Sequence, residues 1–114
     1  MSSVKKVCIV GGQRIPFARS FGKYMGVNNR ELVSQCLNEL VAKYGLQGEE
    51  LGEVVLGAVM KHSSEWNLAR ESTLSTTLSP ATPAYDIQQA CGTSLEASIL
   101  IANKIALGQI DSGI

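Results

Sequence analysis

Short β-branched runs alternate along the chain with stretches of helical spacing. Residues 4–10, VKKVCIV, form an apolar run closed by Gly11 and Gly12, a pattern that predicts a buried strand followed by a turn, with Cys8 inside the core. The next stretch, QRIPFARSFGKYMGV (13–27), carries Pro16, Gly22 and Gly26 and keeps no period, so it predicts a long loop or extended arm of the kind that serves a site or an interface. A helix is signalled from Asn28 or Asn29, with an Asn cap, Glu31 in the first turn and apolar residues Leu32, Val33, Cys36, Leu37, Leu40, Val41 and Tyr44 at helical spacing. Gly45 is its stop, and Cys36 falls on the apolar stripe as a core residue.

Beyond the polar linker LQGEELG, the run EVVLGAVM (53–60) predicts a second buried strand and KHSSEW (61–66) a loop. A weaker helix is expected from about Asn67 to Leu78, because Leu68, Ala69, Ser72 and Leu78 keep the period while Thr73, Thr76 and Thr77 lower the propensity. Pro80 and Pro83 close that region. The stretch AYDIQQA (84–90) reads as extended, and Ser94 to Leu107 as a helix apolar on nearly every face, ended by Gly108 and requiring burial on most sides. This β-α-β-α-β-α order predicts an α/β domain with a mainly parallel sheet and right-handed crossovers. The final QIDSGI reads as the approach to another strand, so residues 1–114 are expected to be the first part of a longer domain.

Composition narrows the function classes. With 45% apolar residues and a net charge of +0, disorder and electrostatic binding to nucleic acid or anionic lipid are both poorly supported. The basic residues are scattered, with Lys5-Lys6 the longest run, so small-molecule chemistry is favoured over a nucleic-acid or membrane role. Cys8, Cys36 and Cys91 are odd in number and widely spaced, which fits neither a disulfide framework nor a metal knuckle. A reducing compartment follows. MSSVKKVCIVGG leaves no room for a signal peptide and no apolar run reaches membrane-spanning length, so the cytoplasm is the expected address.

The candidate chemistry lies in DIQQACGTSLEA (86–97). Cys91 sits at the carboxyl end of the third expected strand, where open α/β sheets present ligand-binding and catalytic side chains. Thr93 and Glu96 have capping-box spacing, which would start the last helix at Thr93 and place Cys91 two residues before its N-cap. A helix N-terminus favours a thiolate over a thiol, and the thiolate is the nucleophilic form. Gly92 permits a sharp turn and close approach of a substrate carbonyl to main-chain N–H groups that can hold an oxyanion. Two readings fit this position: a catalytic nucleophile, or a small buried residue at a tight turn. The lone histidine, His62, falls in a polar loop and reads as solvated rather than as the base of Cys91.

Three blocks, RIPFARSFGKY (14–24), NLARE (67–71) and QQACGTSLEA (88–97), occur in an order and spacing that resembles the N-terminal portion of the thiolases, the acetyl-CoA acetyltransferase and 3-ketoacyl-CoA thiolase group. The resemblance implies a thiolase-like fold and an acyltransferase that works through an acyl-cysteine, with Cys91 as the nucleophile and its own backbone N–H as an oxyanion donor. It implies acyl-CoA and CoA as partners, no metal, no resident cofactor, and assembly as a homodimer or homotetramer. Gln88 stands where the commonest thiolase pattern has Asn, and Thr93-Ser94 replace Ser-Gly, a form similar to the branch related to the fatty-acid oxidation complexes. Asn67 and Arg70 match a block implied to be structural, buttressing the cysteine loop. The base, the second cysteine and the CoA-binding loops of thiolases have no counterpart here, so the 114 residues alone are expected to be inactive. The alternatives are a ketoacyl synthase-type condensing enzyme of the same fold, against which RIPFARSFGKY argues, and a non-catalytic α/β module with an inert Cys91.

Overall fold

Helices cover both faces of a small parallel sheet. The computed structural model describes residues 3–114. Its elements are α1 (Asn29–Lys43), β1 (Val54–Leu56), a 3-10 turn at Ser63–Glu65, α2 (Leu68–Leu74), β2 (Ala84–Asp86), a second 3-10 turn at Ala90–Gly92, and α3 (Thr93–Ala106). β1 and β2 pair in parallel, with Val54 opposite Ala84, Val55 opposite Tyr85 and Leu56 opposite Asp86. Gly113 adds a parallel bridge to Glu53 on the other edge of β1, and Val55 N–H donates to Ile114 O at 2.8 Å, so QIDSGI does approach the sheet as a further strand.

Alternation along β1 sends successive side chains to opposite faces, and this divides the core in two. Val54 packs with Leu37 and Val41 of α1 and with Leu51 and Leu78 on one face. Val55 packs with Ala97 and Ile101 of α3 on the other. The α/β class with parallel pairing is the architecture observed.

α1 begins and ends as its sequence dictates. Asn28 accepts from Glu31 N–H at 2.9 Å and the Glu31 carboxylate accepts from Asn28 N–H at 2.8 Å, a reciprocal capping box. At the other end Gly45 N–H donates to Ala42 O and Leu46 N–H to Val41 O, the Schellman pattern, with Gly45 at φ +63 where a side chain would be strained. α3 closes in the same way at Gly108.

Several expectations are corrected. Residues 4–10 form no strand: all are exposed, and Lys5 N–H to Ala106 O at 3.0 Å is the only backbone hydrogen bond they make among the described residues. A β-branched run becomes a strand only where a ladder partner exists, and Cys8 is accordingly exposed rather than in the core. Cys36 is half-buried, beside Ile15 of the arm, instead of fully inside. The strand expected over 53–60 is only Val54–Leu56, because the ladder offered by Ala84–Asp86 is three residues long. α2 stops at Leu74, not Leu78. There the Ser75 hydroxyl donates to Glu71 O at 2.9 Å and the Thr76 hydroxyl to Thr73 O at 2.7 Å, competing with the next helical turn. α3 buries one side, through Thr93, Ala97 and Ile101, and leaves Leu95 and Ile99 in solvent, so it is not covered on most sides by the described residues.

Candidate active site

β2 delivers the chain to the site. Ile87 N–H donates to Leu56 O at 3.0 Å, extending the ladder one step past Asp86, and the Gln88 side-chain amide donates to Val59 O at 3.0 Å. The chain then turns tightly. Ala90 adopts φ +46, in the left-handed region that a non-glycine residue occupies at a cost of about 1–2 kcal/mol. Gly92 N–H donates to Gln89 O at 2.9 Å and closes the 3-10 turn that holds Cys91.

The helix cap differs from the expected one. Thr93 is already helical, the N-cap is Gly92 with no side-chain cap, and no capping box forms between Thr93 and Glu96. Thr93 Oγ1 instead accepts from Gln89 N–H at 2.9 Å and donates to Ala90 O at 2.8 Å. The physical reason is the 3-10 turn, which runs directly into α3 and leaves no extended residue at position 93 to cap from. Cys91 therefore lies one residue before the N-cap, not two. It is exposed and free, and its N–H has no acceptor among the described residues.

β2, which leads toward the cysteine turn, is fixed by contacts that the sequence pattern did not signal. Asp86 accepts from Leu68 N–H at 2.9 Å and Ala69 N–H at 2.7 Å, the first amides of α2, and from the ammonium of Lys61. Asn67 caps the same helix by accepting from Arg70 N–H at 3.0 Å. Arg70 donates to Thr82 O at 2.7 Å and Pro80 O at 3.0 Å, so it ties the loop entering β2 rather than the cysteine loop itself. Asp86 joins segments 17 to 25 residues away in sequence, which a local pattern does not encode.

Two further buried acids flank the fold. Glu65 accepts from the Asn29 side chain at 3.0 Å, from His62 N–H at 3.3 Å and from Arg30 N–H at 3.4 Å. Burial pushes its carboxyl up, and these donors outweigh burial and hold it below the ordinary glutamate value. Behind the sheet, Glu53 accepts from Lys104 at 2.6 Å and from the Tyr85 hydroxyl at 3.1 Å. The Glu53 hydrogen bond raises the Lys104 ammonium, while burial and then Glu53 raise the Tyr85 phenol. Burial likewise raises the Cys36 thiol, against a hydrogen bond from the backbone of Ile15. A groove of about 330 Å³ between the arm and α1 is lined by Arg14, Ile15, Leu32 and Cys36 and does not reach Cys91. His62 is exposed and makes no hydrogen bond to Cys91 among the described residues.

The geometry is a parallel α/β sheet with an exposed cysteine in a turn before a helix, and comparison with known proteins gives the family. The family described as Thiolase, N-terminal domain, matches residues 7–114. The chain belongs to the thiolase family. It is 34% identical over 110 residues to a 3-ketoacyl-CoA thiolase of Shewanella pealeana and 36% identical over 109 residues to one of Photorhabdus laumondii. Each match covers 96% of this chain and 25% of the relative, so the chain spans a quarter of their length. The crystal structure of the Bacillus anthracis acetyl-CoA acetyltransferase superposes with a TM-score of 0.71 at 28% identity, covering 86% of this chain and 23% of that one. Among the described residues no helix is long and apolar enough to cross a membrane.

Proposed function

We propose that residues 1–114 are the N-terminal part of a thiolase N-terminal domain, and that the complete protein is an acyl-CoA acyltransferase with Cys91 as its nucleophile. The observation that carries this reading is the presentation of Cys91: exposed, in the 3-10 turn that leads from β2 into α3 rather than at the strand end itself, with an unengaged N–H in the same turn. In the thiolysis direction the Cys91 thiolate attacks the keto carbon of a 3-ketoacyl-CoA, and the bond between C2 and C3 breaks. The leaving enolate takes a proton to become acetyl-CoA. The thiolate of free CoA then displaces the shortened acyl group from Cys91. Condensation is the same sequence reversed, with an acetyl-CoA enolate attacking acetyl-Cys91. The Cys91 N–H supports the oxyanion formed at each attack. Acyl-CoA and CoA are the small-molecule partners, with no resident cofactor or metal, and the base that activates Cys91 is contributed from outside these residues. A cytoplasmic homodimer or homotetramer completes the proposal. The three free cysteines support the reducing compartment.

Incubation of the complete protein with acetyl-CoA, read by intact mass and peptide mapping, is expected to show one acetyl adduct on Cys91. Absence of the adduct under conditions where iodoacetamide labels Cys91 would refute the mechanism and favour the inert-cysteine alternative.

A further inference from the structure

The hydroxyl of Thr93 is buried at the base of the cysteine turn, with the residue 7% exposed. It accepts from Gln89 N–H at 2.9 Å and donates to Ala90 O at 2.8 Å, so one oxygen brackets the backbone immediately before Cys91. Donation to the carbonyl three residues back is ordinary for a hydroxyl in a helix. Accepting at the same time from an amide outside the helix is the additional feature. Ala90 lies between these two contacts at φ +46, a conformation that persists only where the surroundings fix it. The methyl of Thr93 is seated against Gly57, where a Cβ would come within 2.5 Å of Cγ2.

We propose that Thr93 is a positioning residue for the nucleophile: Oγ1 clamps Gln89 N–H to Ala90 C=O, holds Ala90 in its left-handed conformation, and so sets the direction of the Cys91 side chain and keeps the Cys91 N–H clear. This rests on the reading of Cys91 as the acyl acceptor. With the clamp lost, Ala90 relaxes and the sulfur moves, and a displacement of about 1 Å at a reacting group costs on the order of 100-fold in rate. Substrate binding made elsewhere is unaffected.

The test uses the complete protein and three variants: T93S keeps the hydroxyl, T93A removes it with the methyl, and T93V removes it while keeping the shape. In T93A and T93V kcat is expected to fall about 10- to 100-fold with KM within about twofold, and T93S to recover to within about fivefold of wild type. Acetyl transfer to Cys91, followed by mass in a single turnover, should slow in parallel. Folded T93A or T93V with wild-type kcat, a loss that falls on KM, or T93S as impaired as T93A would each overturn the clamp. If T93A does not fold, T93V carries the same comparison. A wild-type protein that forms no acetyl-Cys91 would overturn the underlying reading instead, and the two failures are thereby distinguished.

Discussion

Glu65 illustrates how much a single residue depends on its partners. A carboxylate 1% exposed is tolerated because donors from Asn29, Arg30 and His62 converge on it. Its pKa is lower folded than unfolded, so its contribution to stability is fully present above the ordinary glutamate value of about 4.3. That contribution is lost as pH falls through the folded value. Urea midpoints of the complete protein measured from pH 7 down to pH 3 should therefore drop more steeply below about pH 4.3 in the wild type than in Glu65→Gln. Equal slopes would show that the carboxylate is not stabilised there. Gly57 makes the opposite point, because what matters is the absence of a side chain. A Cβ there would overlap the carbonyl of Ile87 and press on the Thr93 methyl. Gly57→Ala is expected to destabilise the protein by about 1–3 kcal/mol and to slow iodoacetamide labelling of Cys91, since the turn must shift to admit the methyl.

At the scale of elements, the termini of the helices carry different kinds of information. α1 is capped by its own sequence: Asn28 and Glu31 complete their box within four residues. Asn28→Ala removes the side-chain half of that box and is expected to cost about 1 kcal/mol in thermal or urea unfolding of the complete protein, while Asn28→Asp should cost far less. α2 adds a distant cap, Asp86 of β2, to its local Asn67. α3 has no side-chain cap at its N-terminus. The Thr93/Glu96 spacing resembles a box, but a capping residue must be extended, and the 3-10 turn before it places Thr93 in the helix instead. The same spacing therefore had different outcomes in α1 and α3, decided by the backbone that leads into each.

For the whole molecule, the balance of buried and exposed surface is the governing property. The described core consists of ten buried apolar side chains in and around two small clusters. Ile9, Val10, Phe17, Phe21, Trp66 and Leu95 are exposed by 68% or more. The radius of gyration is 14.7 Å, against about 13 Å for a compact domain of this length, and the extents are 54 × 29 × 24 Å. Exposed apolar area on this scale favours association. These 114 residues expressed by themselves are expected to aggregate and to melt without a cooperative transition. A monodisperse monomer in size-exclusion chromatography with a sharp calorimetric transition would contradict that expectation.

Local chemistry was legible without coordinates. Periodicity located α1 and α3, the Asn cap and the glycine stops fixed the ends of α1, and the three motif blocks pointed to the thiolase family. These features depend on residues near one another in the chain, so the sequence alone determines them. Only the tertiary structure decided whether 4–10 would find a ladder partner, how short β1 would be, which end of α2 Asp86 would cap, and that Thr93 would bracket the cysteine turn. Each of these is a pairing between groups whose meeting is set by the packing of layers, and side-chain period carries no record of which distant backbone lies opposite.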